Sequence, residues 1–196
     1  MSQALHPEVA AILQANRFAR FLARGTLPRV LDDAGTRLCG WCRFPLDRRT
    51  TAWCSDECAD EFWIRFSRTH VARLVHRRDR GVCAICGLDT EQLSRIVGRL
   101  RDRSDRRWLR SGNYRDPTDL DAARWERMRS ELASRGFGFV DRWHTPTLWE
   151  ADHIVAIIEG GGCCGLENYR TLCVPCHRGE TRLLRKRMRR QGSFRL

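Results

Sequence analysis

The residues whose types and spacing could do chemistry are four cysteine pairs and a short run carrying aspartate, histidine and asparagine. Cys39 and Cys42 stand in CGWC, and Cys54 and Cys58 follow in CSDEC. Cys83 and Cys86 stand in CAIC, and Cys173 and Cys176 in CVPC. Two cysteines on a tight turn together with a second such pair can surround Zn²⁺ with four thiolates. The spacing predicts one site from Cys39, Cys42, Cys54 and Cys58. It predicts another from Cys83, Cys86, Cys173 and Cys176, since two Cys-x-x-Cys turns can converge whatever length of chain separates them. A four-thiolate site has no open coordination position, so both are read as structural zinc sites. The stretch from Trp149 to His177, WEADHIVAIIEGGGCCGLENYRTLCVPCH, adds Asp152, His153, Asn168 and His177. Taken singly these are weak signals: Asn168 could be a turn residue, and His177 beside Cys176 could be a spare zinc ligand.

Local order comes next. TLWEADHIVAII is rich in apolar and β-branched residues and precedes EGGG, which predicts a strand followed by a turn. A second strand is expected around Tyr169–Leu172 and a helix from about Pro175, because proline suits a first helical turn. In a regular pleat Asp152 and His153 point to opposite faces, so joint action needs a strand end, strong twist or bulge near residue 152. Cys163 and Cys164 are adjacent, and both thiolate sites are already full; they are taken as loop residues without a role.

The order Asp152-His153, Asn168, Cys173, Cys176, His177 resembles the HNH endonucleases. WCSDECADEFWIR, RGVCAIC and LWEADHI…EGGG…CGLENYRTLCVPCH widen the likeness to the C-terminal HNH region of annealing helicase/endonucleases that carry a Ran-binding-type zinc finger. It covers about residues 39 to 182 without most of the stretch between Gly87 and Thr147. No helicase motor accompanies it, and Cys163 departs from the pattern. The resemblance implies an α+β, zinc-stapled chain with a ββα-metal core that hydrolyses DNA phosphodiester bonds. His153 is then the general base, and Asn168 fixes the orientation of His153. Asp152 and His177 then hold one divalent cation, Mg²⁺ or another, with open positions for water and phosphate. The opposing reading is a zinc-stapled nucleic-acid-binding module without catalysis.

The rest of the chain is read as support. Of 196 residues, 36 are Lys or Arg and 24 are Asp or Glu, a net charge of +12 that favours a polyanionic partner. Lys186 is the only lysine, and arginine suits bidentate phosphate contacts. There is no apolar run of membrane-spanning length and no basic stretch before the apolar residues of the N-terminus, so no membrane association and an intracellular location are expected. Double-strand cutting by a chain with one site calls for a homodimer or two successive events.

The expected organisation is a helical segment over 1–37, a four-cysteine module over 38–60, and a nuclease domain over 61–196. The last carries a helical insertion over about 88–146 and a basic C-terminal tail. Val9, Ile12 and Leu13 share one helical face, while Phe18, Phe21 and Leu22 fall on the opposite one; the helix is buried on two sides or breaks near Asn16. A single helix is expected from about Ala59 to Arg78, with His70 and His76 as packed or solvated residues. Helices are expected over about Thr90–Arg110 and Asp119–Ser134, the second stopped by Gly136, with SGNYRDP as a loop between them.

Overall fold

The computed structural model describes residues 5–47, 52–99, 120–140 and 147–190. The SGNYRDP loop, the helix expected beyond residue 99 and the end of the basic tail lie outside them. The chain forms two compact units, Met1–Arg78 with His153–Arg170, and Asp79–Asp152 with Thr171–Leu196.

In the first unit, α1 spans Pro7–Ala15, with proline in its first turn and Glu8 near its positive end. It stops at Asn16, whose side-chain Nδ2 donates to Ile12 O at 2.8 Å. Of the two sequence expectations, the break is therefore the one observed. Residues 17–21 are turns and bends, so helix does not fill most of 1–37. Cys39 and Cys42 sit on the turn that follows an antiparallel bridge, Leu31 to Arg37. α2 spans Asp56–Ile64, capped by Ser55, whose hydroxyl accepts from Cys58 N at 3.3 Å. α3 spans Arg68–Asp79. The single helix expected from Ala59 to Arg78 is thus two helices. Arg65 caps the first, and the Ser67 hydroxyl accepts from His70 N at 3.3 Å, which starts the second. Val9, Leu22, Leu27, Trp41 and Leu46 pack with Cys39, Cys58 and Cys163 as this unit's core.

The second unit packs Val97, Trp125, Leu132, Phe137, Val140, Leu148 and Leu172 around Cys83 and Cys173. Residues 90–99 are helical (α4), and α5 spans Leu120–Leu132. A wider turn, Ala133–Phe137, ends α5; within it Gly136 has φ +87, a left-handed conformation that glycine adopts without strain. A Cβ there would also lie 3.2 Å from Pro175, at the start of α6 (Val174–Arg190).

β1 (Trp149–His153) and β2 (Tyr169–Cys173) form a two-stranded sheet. Val174 N donates to Leu148 O at 3.0 Å beyond one end, and Ile154 N donates to Asn168 O at 2.8 Å beyond the other. Those partners run in opposite directions along the chain, so the pairing is antiparallel. The chain passes between the units at Asp152–His153 and Arg170–Thr171. β1 ends at His153, which supplies the strand end that the Asp-His pair requires.

Candidate functional site

The eight cysteines of the two expected sets converge as two groups of four. In each group the Sγ atoms all lie within 4.8 Å of one another. Cys42 and Cys54 are 3.4 Å apart, Cys54 and Cys58 3.6 Å, and Cys86 and Cys173 3.7 Å. Four sulfurs about 2.3 Å from one Zn²⁺ in a tetrahedron stand about 3.8 Å apart, so both groups fit that ion. All eight are free thiols.

One sulfur in each group is readied as a thiolate. Burial pushes Cys39 up, but backbone N–H groups of Cys42, Trp41 and Cys54 outweigh it and bring the thiol to about 7. Cys83 is likewise pushed up by burial and pulled further down, to about 6, by the N–H groups of Cys86, Cys173 and Ile85. Burial raises Cys54 and Cys176 to about 11. A metal would displace the remaining protons, since only the thiolate ligates. The turn carrying Cys83 and Cys86 is tied to β2. Ala84 N donates to Thr171 O at 2.8 Å, and Asp79 Oδ2 accepts from Thr171 N at 3.0 Å and Thr171 Oγ1 at 2.9 Å. Asp79 thus fastens the strand that bears Cys173.

In the second unit Asp152 Oδ1 lies 3.6 Å from His177 Nε2; the two side chains are 15% and 36% exposed. This is too long for a good hydrogen bond. It is close to the separation of two ligands held by one cation, about 3.0 Å in an octahedral and 3.4 Å in a tetrahedral site with bonds near 2.1 Å. His177 sits in the first turn of α6.

In the first unit His153 is half-buried at the end of β1, its ring 4.4 Å from that of Tyr169. Its Nε2 is buried with no hydrogen-bond partner among the described residues. Burial, and then the charge of Arg20, pull the imidazole down to about 4, so it is neutral at physiological pH.

Asn168 staples the loop that follows. Its Oδ1 accepts from Val155 N at 2.8 Å, and its Nδ2 donates to Val155 O at 3.1 Å and Gly161 O at 2.9 Å. The loop closes this tightly because residue 161 has no side chain: a Cβ there would lie 1.9 Å from Val155 O. Arg78 holds the other flank, donating to Leu166 O at 2.9 Å and Tyr169 O at 2.7 Å.

Four contributors escaped the sequence reading. Tyr169 was seen only as a strand residue, yet it is 3% exposed and packs on His153. Cys164, left without a role, has its thiol pushed up by burial, an effect that the nearby side chains of Asn168 and Tyr169 partly offset. Arg78 was one basic residue in a helix full of them. Arg20 lies far from the motif in sequence, and nothing in its immediate neighbours marks it. His70, by contrast, is the packed histidine expected, its Nε2 2.8 Å from Asp60 Oδ1.

Comparison with known proteins adds a family likeness. The sequence profile of the HNH endonuclease family matches residues 137–183. The "DNA annealing helicase and endonuclease ZRANB3" of Bos taurus is 32% identical over 164 residues, which is 78% of this chain and 14% of that protein. The Mus musculus protein of the same name is 32% identical and the Homo sapiens one 29%, over the same shares. The chain therefore spans about one seventh of the length of these relatives (14%). No solved structure matches it.

Proposed function

We propose that this chain, which carries an HNH endonuclease domain over residues 137–183, is a metal-dependent endonuclease that hydrolyses DNA phosphodiester bonds. The relatives' printed name supplies the substrate class, and the net charge of +12 suits it. The observation that carries the proposal is the approach of Asp152 to His177, 3.6 Å apart though they come from different elements. A divalent cation held by this pair would neutralise developing charge on the phosphate and its leaving oxygen.

His153 is the general base. A neutral imidazole can take a proton from the attacking water, and its depressed pKa keeps it unprotonated across the neutral range. A low pKa also makes it a weaker base than a free histidine, so its contribution rests on position. Asn168 supplies that position by clamping both sides of the loop that leaves His153. Asn168 does not touch the reacting atoms; it holds the backbone that carries the base. Zn²⁺ at Cys39, Cys42, Cys54 and Cys58, and at Cys83, Cys86, Cys173 and Cys176, would fix the two units. Neither group offers an open position for chemistry.

One observation favours the second reading, a binding module without catalysis: Nε2 of His153 is sealed from solvent. Supercoiled plasmid incubated with Mg²⁺ or Mn²⁺ separates the two. Nicked or linear product that disappears with His153→Ala, at unchanged zinc content, is expected of the nuclease. DNA binding without product in either metal, on duplex and branched substrates alike, would establish the binding module instead.

A further inference from the structure

The stretch that follows α1 reads RFARFLAR, with Arg17, Arg20 and Arg24 at spacings of three and four. It is not helical. All three arginines are exposed, as is Phe18 at 56%, and none of the three makes an ion pair among the described residues. Arg17 lies over the Phe18 ring, 4.6 Å from its centroid, and Arg20 over Phe21 at 5.6 Å.

This stretch is fastened at Arg17, Ala19 and Leu22. Leu22 is in the core and its N–H donates to Arg65 O at 2.8 Å. Gly162 N donates to Arg17 O at 2.7 Å, and Cys163 Sγ donates to Ala19 O at 3.3 Å. The strap lies so close to the glycine-rich loop that a Cβ at Gly162 would stand 2.2 Å from Ala19 O. The same loop is held by Asn168 through Gly161 O. That loop leaves β1 directly after His153, where the strand ends.

We propose that residues 17–24 form a strap that binds the phosphate backbone of the nucleic-acid strand presented to His153, with Arg17, Arg20 and Arg24 as its phosphate contacts. Three exposed arginines without carboxylate partners among the described residues, held on a fixed backbone, fit a regularly spaced polyanion. In the loop Glu159 Oε2 accepts from Ala156 N at 3.4 Å. The exposed Phe18 ring offers a face on which an unpaired base could stack. The binding claim stands on its own geometry; only the strand's destination rests on the nuclease reading.

The test is fluorescence anisotropy of a labelled DNA duplex with the full chain carrying His153→Ala, over a salt series. Replacing Arg17, Arg20 and Arg24 together by alanine should make the slope of log K against log salt shallower by about 2.7, at about 0.9 per phosphate contact. Affinity at 0.1 M salt should fall by about 8-fold per contact on the same relation. The triple lysine variant should keep the slope. Arg20→Ala alone should shift it by about 0.9, and decides the matter if the triple variant loses its zinc or its fold.

An unchanged slope in the alanine variants overturns the proposal, as does a lysine variant as weak as the alanine one. So does retained DNA affinity with lost binding to phosphatidylserine vesicles, which would make the strap a lipid-surface contact. Cleavage by the chain with His153 in place separates the two readings. If His153→Ala abolishes cleavage while the arginine variants bind normally, the strap alone is wrong. If the arginine variants lose DNA while His153→Ala still cuts, the strap stands and the assigned base falls.

Discussion

Asn168→Ala should loosen the loop that carries the base before it disturbs anything else. The substitution deletes three hydrogen bonds, to Val155 N, Val155 O and Gly161 O, at 2.8, 3.1 and 2.9 Å. Two of the three are solvent-exposed and one is partly buried, so the low end of the usual range applies, about 0.5–1 kcal/mol each. The sum is about 1.5–3 kcal/mol. If the loop melts with the whole chain, a protein of this length loses about 3–12 °C in Tm. If it opens by itself, the loss appears instead as faster hydrogen exchange at the Val155 amide.

Asn168→Asp sharpens the test. The carboxylate keeps an acceptor for Val155 N but faces Val155 O and Gly161 O with no proton to donate, so it should be no better than alanine despite its shape. Thermal melts, amide exchange at Val155 and plasmid cleavage would be read side by side on zinc-loaded protein. Cleavage should fall in both variants without loss of DNA affinity. An aspartate variant that melts, exchanges and cuts like wild type would refute the staple and with it the positioning role of Asn168.

Other outcomes follow from the same geometry. Cys83→Ser should lower zinc content from two ions per chain to one and destabilise the second unit while the first keeps its metal; elemental analysis with limited proteolysis checks this. Since structural zinc contributes about 10–16 kcal/mol in small modules, a strong chelator should unfold both units. NMR titration of the His153 ring in metal-free protein should show a midpoint near 4, well below an ordinary histidine. Because that pKa is lowered on folding, the unfolded chain binds more protons between about pH 6.5 and 4, and His153's part in stability is lost as pH falls through that window. A midpoint at or above 6.5 would contradict the burial described. Asp152→Asn should weaken cleavage in a way that higher Mg²⁺ or Mn²⁺ restores in part, while DNA affinity stays unchanged; a loss insensitive to cation concentration would remove Asp152 from the cation site.

Much of this was legible in the residues themselves, for a local reason. Cys-x-x-Cys spacing fixes how two sulfurs can lie on one turn, and once the pairs are counted there are few ways to combine them. The two observed groups are the two expected. A strand before the glycine-rich loop, the strand from Tyr169 and the helix near Pro175 also follow from short-range rules, β-branched runs and proline in a first turn. The first strand nevertheless stops at His153, five residues short of the end of TLWEADHIVAII. Where such rules were stretched over longer spans they failed. Apolar spacing continues through Arg65 to Ser67 and through Asn16 to Leu22, but helix does not, because capping side chains and the bond from Leu22 N to Arg65 O end it.

The tertiary structure decided what no spacing encodes. Residues 17–24 look in sequence like one more amphipathic turn, since the arginines and phenylalanines recur at helical intervals. Only the folded chain shows the strap pinned to Gly162 and Cys163, with Arg20 acting on His153. Tyr169 packed on His153 and Arg78 on the loop carbonyls belong to the same class. Their partners lie far away along the chain, and a contact of that kind exists only once burial and backbone hydrogen bonding have brought distant segments together. The residue types set which chemistry is available; the depressed pKa of His153 and the 3.6 Å approach of Asp152 to His177 are products of the fold.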